Sequence, residues 1–364
     1  MADQAAMAGT APDWLPAFAR RSEAVVIPLV ALAAGFAIFA LFLLSQGKSP
    51  VQFLGIVWQG AFGSAFSWQN TLSRAAPLLL AALCVALPAR LGLVVIGGEG
   101  AIVLGGVTAG ALGAHMAGVP ASVALPILAL AAMLVGGVWI GLAGALRQYR
   151  GVNETISSLL LAYIAIALMN HLVEGPFRDP ASLNKPSTAP LAETLRVGNL
   201  PGMDVHWGLA AGLIGCVISW VLIDRTTWGF AARIAGGNVR AAQVQGLPVG
   251  RLILGFTALA GAFAGLAGFF EVTAVQGSAN GSLAAGYGYT GILIAFLARH
   301  NPLAIIPVAL LLAGFDAASG LIQRRMDLPD ATILVLQGFV FLAILVSDTA
   351  YGRFRLFAPE RWGR

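Results

Sequence analysis

Four carboxylates stand in stretches of chain that otherwise hold almost no charge. Glu99 lies in Ile96-Gly-Gly-Glu-Gly-Ala101, between two apolar runs, and Glu154 follows Asn153 at the head of a third. Glu271 closes an apolar run that begins near Leu252, and Asp316 sits inside another. A charge at the centre of a membrane-buried helix costs on the order of 2.5–3.5 kcal/mol on insertion scales, so such residues face a water-filled path or a partner. Glu154 also suits the positive end of a helix N-terminus, and Glu271 suits a membrane interface. Glu99 has Gly97, Gly98, Gly100 and Gly105 around it, where backbone can leave the helical path.

Other chemistries are poorly served. Gly47-Lys48-Ser49 imitates the end of a phosphate-binding loop, but Phe42 stands where its first glycine is required. The chain is therefore not expected to hydrolyse ATP. Gly286-Tyr-Gly288-Tyr-Thr-Gly291 matches a dinucleotide fingerprint by letter, yet no strand precedes it and it lies in an apolar segment. His115, His171, His206 and His300 lack metal-ligand spacing. Cys84 and Cys216 lie in apolar runs and read as small hydrophobes. No serine has the histidine and aspartate context of a hydrolase. No cofactor is expected on this chain.

The elements that must position these residues are membrane helices. Of 364 residues 58% are hydrophobic and 10% charged, where a globular domain carries about a quarter charged. The mean hydropathy of +0.84 excludes a soluble enzyme or a disordered regulator. A bilayer core takes about 20 apolar residues per helix. Ten segments qualify: 25–45, 72–90, 100–119, 121–146, 154–173, 207–223, 252–271, 286–299, 302–322 and 331–348. The first is too long for a signal peptide's apolar core and lacks a cleavage pattern. Residues 286–299 are short and glycine-interrupted, so a broken or re-entrant helix is expected there. Residues 51–66 place aromatics on one helical face and suit the interface. Gly-xxx-Gly pairs at Gly106/Gly110, Gly137/Gly141, Gly208/Gly212 and Gly261/Gly265 predict close helix packing.

Nineteen arginines and two lysines are spread singly between the apolar runs. That spread argues against nucleic-acid binding and for the positive-inside rule. With the N-terminus inside, fourteen fall on the inner side and seven on the outer, three of the seven in the loop 174–206. Both termini are expected in the cytoplasm, leaving 1–24 and 349–364 as cytoplasmic ends of a membrane domain at 25–348. The inner segment 224–250 contains a helix-compatible stretch, 239–244, closed by Gly246-Leu247-Pro248. A short helix bounded in this way suits a docking element.

Four segments together resemble the permease subunits of bacterial ABC importers for nucleosides, within the broader group that includes ribose and branched-chain amino acid permeases. Leu91-Gly-Leu-Val-Val-Ile-Gly-Gly-Glu-Gly-Ala101 is similar to the family's G-L-x-N-I-G-x-E-G-Q. Gly151-Val-Asn-Glu-Thr-Ile-Ser-Ser-Leu-Leu-Leu-Ala-Tyr163, with Gly175-Pro-Phe-Arg-Asp-Pro180, resembles N-E-V-I-x-T-x-M-L-N-Y followed by G-P-x-x-D-P. The stretch from Thr227 to Ala242 resembles the cytoplasmic W-G-x-x-x-R-A-x-G-x-N-x-x-A-A. Gly288-Tyr-Thr-Gly-Ile292 and Arg299-His-Asn-Pro302 complete the set. Three polar family positions are apolar here, at Val95, Ala101 and Ala162.

The resemblance implies an all-α, type II importer-like permease of about ten transmembrane helices with a short cytoplasmic coupling helix, in a bacterial inner membrane. It implies a second homologous permease, a cytoplasmic ATP-binding subunit carrying ATP and magnesium, and an extracytoplasmic substrate-binding protein as partners. Trp228, Gly229, Arg233, Asn238, Ala241, Ala242 and Gly246 are expected to couple to the ATPase. Glu99, Asn153, Glu154, Gly286, Gly288, Tyr289 and Gly291 are expected along the translocation pathway. Ribose-like sugars or branched-chain amino acids are the alternative cargo. An ion-coupled carrier working alone is a further reading, but 224–250 would have no purpose in it.

Overall fold

A computed structural model describes residues 14–348, with side chains from 26 to 347. The tail 349–364 and most of the segment 1–24 lie outside the described residues. The rest is helical: α1 (Trp14–Ser45), α2 (Pro50–Phe62), α3 (Ala65–Ala89), α4 (Gly98–Ala114), α5 (Ala121–Arg150), α6 (Glu154–Glu174), α7 (Gly208–Arg225), α8 (Thr227–Gly237), α9 (Val239–Val244), α10 (Val249–Phe270), α11 (Tyr287–Leu297), α12 (Pro302–Met326) and α13 (Ala331–Asp348). Among the described residues seven helices are long and apolar enough to cross a membrane, and three shorter apolar ones lie at Gly98–Ala114, Gly281–Leu297 and Ala331–Ser347. Each of the ten expected apolar segments contains a helix, although 100–119 is helical only to Ala114, and seven of these helices have crossing length by themselves.

Two compact units divide the chain. The first takes the residues up to Leu54 and those from Gln323 onward. In it α1 buries Ile27, Ala31, Gly35, Phe39 and Leu43, one residue in four, and exposes Leu29, Val30, Leu41 and Leu44. That stripe meets α13, where a Cβ on Gly35 would collide with the backbone of Val340. Phe39 stacks edge-on against Phe53 at 5.0 Å.

The second unit, Gly55–Ile322, is built around α3 and α10. Every residue of α3 from Ala75 to Pro88 is buried. Apolar side chains gain little by leaving lipid for protein, so helix association depends on close packing. Glycines provide it. A Cβ on Gly261 would strike the carbonyl of Gly136, one on Gly105 the backbone of Gly265, and one on Gly268 the carbonyl of Ile102. Three backbones, α4, α5 and α10, therefore meet along one line. The predicted Gly137/Gly141 pair faces Ala258, and Gly212 faces Leu79.

Two regular helices are broken. After α3 the chain turns at Gly92 (φ 72°), runs non-helically from Leu93 to Ile96 and restarts as α4. Beyond α10, residues Glu271–Gln276 wind as a π-helix, a local irregularity common at functional sites. The loop 175–207 is laced onto that region. The Thr188 N–H donates to the Ala279 carbonyl at 2.9 Å, that of Leu191 to Gly277 at 2.8 Å and that of Val197 to Thr273 at 3.0 Å. Leu191 joins Val103, Val107, Met169, Val272 and Leu283 in an apolar cluster beneath. His206 anchors the loop's end: its Nδ1 accepts from the Gly208 N–H at the head of α7, and its Nε2 meets the Ser73 carbonyl of α3.

Candidate functional site

The expected broken helix is α11. Eleven residues rise about 16 Å, half the hydrocarbon thickness. Its N-terminus is set by Gly286 in the left-handed conformation (φ 86°), and its first N–H groups have no intrahelical acceptor. Glu99, from the first turn of α4, provides one. Its two carboxylate oxygens accept from the N–H groups of Gly286 (2.7 Å) and Gly288 (2.6 Å). The side chain is 1% exposed, and the positive end of the α11 dipole favours its charge. Gly288 must be glycine for this fit, because a Cβ there would strike the backbone of Glu99. A Cβ on Gly291 would likewise strike the backbone of Ala81 in α3. These two glycines are therefore packing positions.

Tyr287, the first residue of α11, lies near several of the charges singled out in the sequence. The Tyr287 hydroxyl hydrogen-bonds Glu271, whose other partner is the Gln276 side-chain amide at 3.2 Å. Glu99, Asp316 and Arg74 all lie within electrostatic range of Tyr287. Three of the four carboxylates singled out in the sequence thus converge on the start of one half-helix. Tyr289, two residues on, is 41% exposed. Arg74 and Gln276 carry no motif signal, and only the fold brings them toward Tyr287.

Asn153 and Glu154 belong to a different arrangement. Asn153 caps α6, its side-chain oxygen accepting from the Ile156 N–H at 3.1 Å. Glu154 is buried, pairs with Arg147 at 3.4 Å and meets the Val94 N–H at 3.5 Å. Thr155 Oγ1 donates to the Val94 carbonyl at 2.9 Å, and the Ile96 N–H donates to Ser158 Oγ at 3.1 Å. The non-helical stretch between α3 and α4 therefore has its exposed backbone groups satisfied by side chains of α6, as apolar surroundings demand. Thr155 and Ser158 were not singled out in the sequence, although two hydroxyls in the first turns of an apolar helix are the available signal. Val95, Ala101 and Ala162 are all fully buried, so their departures from the family pattern change packing within the chain.

The segment 224–250 folds as two short helices. Thr226 caps α8, accepting from the Gly229 N–H at 3.2 Å, and a Cβ on Gly229 would strike the carbonyls of Leu222 and Ile223. Arg233 pairs with Asp224 at 3.3 Å, tying α8 back to α7. Asn238 ends α8 and caps α9, accepting from the Ala241 N–H at 3.0 Å. Gly246 stops the chain in the left-handed region (φ 75°). Trp228, Val239 and Val244 are exposed, Val244 at 89%, whereas Ala242 is fully buried. The outward face of α9 therefore consists of Val239, Arg240, Ala241, Gln243 and Val244, and Ala242 seats the helix on its own chain.

The described residues form a polytopic helical membrane protein with a broken core helix, two buried carboxylates at its head and a double-helix loop. The chain belongs to the family described as branched-chain amino acid transport system / permease component, whose model matches residues 67–345. It is 31% identical over 350 residues to the glucose ABC transporter permease protein TsgB13 of Haloferax volcanii, covering 93% of this chain and 90% of that one. It is 29% identical to the guanosine ABC transporter permease protein NupP of Bacillus subtilis, covering 90% and 95%. The nucleoside ABC transporter permease protein NupB of Lactococcus lactis subsp. cremoris is 25% identical, covering 80% and 82%.

Proposed function

We propose that this chain is the membrane-spanning subunit of an ATP-driven importer for nucleosides, with a second similar permease, a cytoplasmic ATP-binding subunit and an extracytoplasmic substrate-binding protein as partners. Hydrolysis of magnesium-bound ATP belongs to the ATP-binding subunit, and no covalent step belongs to this chain. The proposed setting is a bacterial inner membrane with both termini cytoplasmic. Cysteines placed at Lys185 and Arg240 are then expected to be labelled from opposite sides, and labelling of both from one side overturns the orientation.

The observation that carries the transport reading is the half-helix α11, whose head is held by the buried carboxylate of Glu99 and carries Tyr287 beside the buried Glu271. Buried charges and interrupted backbone persist at membrane depth where they border a cavity or are enclosed by protein. The carboxylate, amide and tyrosine hydroxyl gathered there suit a neutral cargo with many hydroxyl groups. The extended match to guanosine and nucleoside permeases favours nucleosides. The glucose permease match supports a second reading, a sugar; glucose and guanosine share a ring with neighbouring hydroxyls. Motion of the ATPase would reach the membrane through α9 seated in a groove of that partner, and the spans would reorient in response.

The test is uptake by the reconstituted complex from a panel of labelled nucleosides, ribose, glucose and branched-chain amino acids. Nucleoside uptake that unlabelled nucleosides inhibit, and glucose does not, is the expected outcome. Uptake of sugar alone overturns the cargo, and uptake independent of ATP overturns the importer.

A further inference from the structure

The stretch from Arg90 to Glu99 lies along α11 in the opposite direction and holds it at both ends. Glu99 grips the N-terminal N–H groups, as described above. At the other end, the Arg90 guanidinium donates from Nη2 to the carbonyl of His300 at 2.9 Å, three residues past the end of α11. The signs match the helix: carboxylate at the positive N-terminus, guanidinium at the negative C-terminus. The turn that follows α11 is tightly built. Arg299 and His300 both take left-handed backbone (φ 51° and 55°), uncommon for residues other than glycine, and the His300 N–H returns to the Ala295 carbonyl at 2.7 Å. The turn therefore moves with the helix.

The same arginine is pressed from the cytoplasmic loop side by α8. A Cβ on Gly236, at the C-terminal end of α8, would strike the Arg90 carbonyl, and Gly92 lies against the Gly236 carbonyl in turn. Asp224 and Arg233, which pair with each other across α7 and α8, both act electrostatically on Arg90. One residue after α8, Asn238 opens α9. Backbone contact thus links α9 through α8 to Arg90, and the side chains of Arg90 and Glu99 link the stretch between them to both ends of α11.

We infer that Arg90 is a positioning residue that converts movement of the α8–α9 segment into movement of α11, with the Arg90–Glu99 stretch acting as a splint that carries the half-helix as one body. This rests on the proposed docking role of α9. It assigns Arg90 no contact with cargo or nucleotide. The residue matters through the ratio of transport to hydrolysis.

The experiment compares reconstituted complexes carrying R90Q, Gly236→Ala and, as a control on the docking surface, Ala241→Trp. Each is measured for assembly, ATP hydrolysis and uptake. R90Q is expected to cut uptake about tenfold while hydrolysis stays within twofold, and R90K to recover part of the loss. Gly236→Ala, which leaves every charge in place and only separates α8 from Arg90, is expected to uncouple in the same sense. If R90Q lowers uptake, hydrolysis and assembly in proportion while Gly236→Ala stays fully coupled, Arg90 is structural and the relay is overturned. If Ala241→Trp is neutral, the docking role of α9 falls; if it uncouples while R90Q and Gly236→Ala remain coupled, the relay alone falls. Failure of R90Q to assemble leaves the decision to Gly236→Ala, whose normal coupling then refutes the relay.

Discussion

Replacing Glu99 by glutamine tests whether the carboxylate is the fastening of α11. In the native chain both oxygens accept backbone N–H groups, at 2.7 and 2.6 Å, and the side chain is 1% exposed. Hydrogen bonds to charged groups are worth about 1.5–3 kcal/mol each. Glutamine keeps one acceptor and presents an NH2 group to the other N–H, so one bond is lost and two buried donors are left facing each other. Loss of charge at the helix N-terminus adds up to about 1 kcal/mol. The sum is about 3 kcal/mol, roughly a hundredfold in the equilibrium between seated and unseated α11. Alanine, which orphans both donors, should cost about 5 kcal/mol by the same count. The assay is thermal unfolding of the solubilised complex alongside uptake. Stability is expected to fall in the order wild type, E99Q, Glu99→Ala, with uptake following it. If E99Q leaves stability unchanged and abolishes uptake, Glu99 contacts cargo and the fastening argument is refuted.

Other consequences can be checked in the same system. Gly261→Val forces a branched side chain into the Gly136 carbonyl and should destabilise by about 3 kcal/mol, the upper end for overpacking; unchanged thermal stability would contradict the backbone contact of α5 and α10. Ala242→Trp should lower assembly and stability because Ala242 is fully buried, whereas Ala241→Trp should leave the fold intact and disturb hydrolysis-coupled uptake; the reverse pattern would invert the assigned faces of α9. Burial, then Arg90 and Arg299, push His300 down to about 4, so it is neutral when folded and titrates near 6.5 when unfolded. The unfolded chain then binds more protons between those values, and stability present above pH 6.5 is lost as pH falls toward 4; His300→Gln should flatten part of the stability loss between pH 7 and 5, and an unaltered profile would remove His300 from that loss.

Helix positions were readable because apolar runs of 17 residues or more, cut by Gly, Pro and Arg, admit little else in a bilayer. The interruption at α11 was readable too, since 286–299 is short and carries Gly286, Gly288 and Gly291. The partners of the carboxylates were not. Glu99 meets Gly286 and Gly288 across 187 and 189 residues of chain, a separation no periodicity encodes. The two faces of α9 also escaped, because a six-residue helix is too short for a pattern to distinguish Ala241 from Ala242. Gly288 is expected on the pathway from the sequence and is a close contact in the structure, since a missing side chain suits either one.

That ambiguity bears on how charges in this chain should be interpreted. A carboxylate in an apolar run signals that something must compensate it, and the compensation here takes two physical forms. Glu99 is held against the first backbone N–H groups of α11 and Glu154 against Arg147 and the Val94 N–H, and both stabilise irregular chain. Glu271 instead meets side chains, Gln276 and the Tyr287 hydroxyl, groups that can exchange partners without unravelling a helix. A hydroxyl-rich cargo could replace the tyrosine contact at little cost, whereas it could replace the Glu99 contacts only by undoing the start of α11. Specificity is therefore expected to change with substitutions at Glu271, Gln276 and Tyr287, and assembly with substitutions at Glu99 and Glu154.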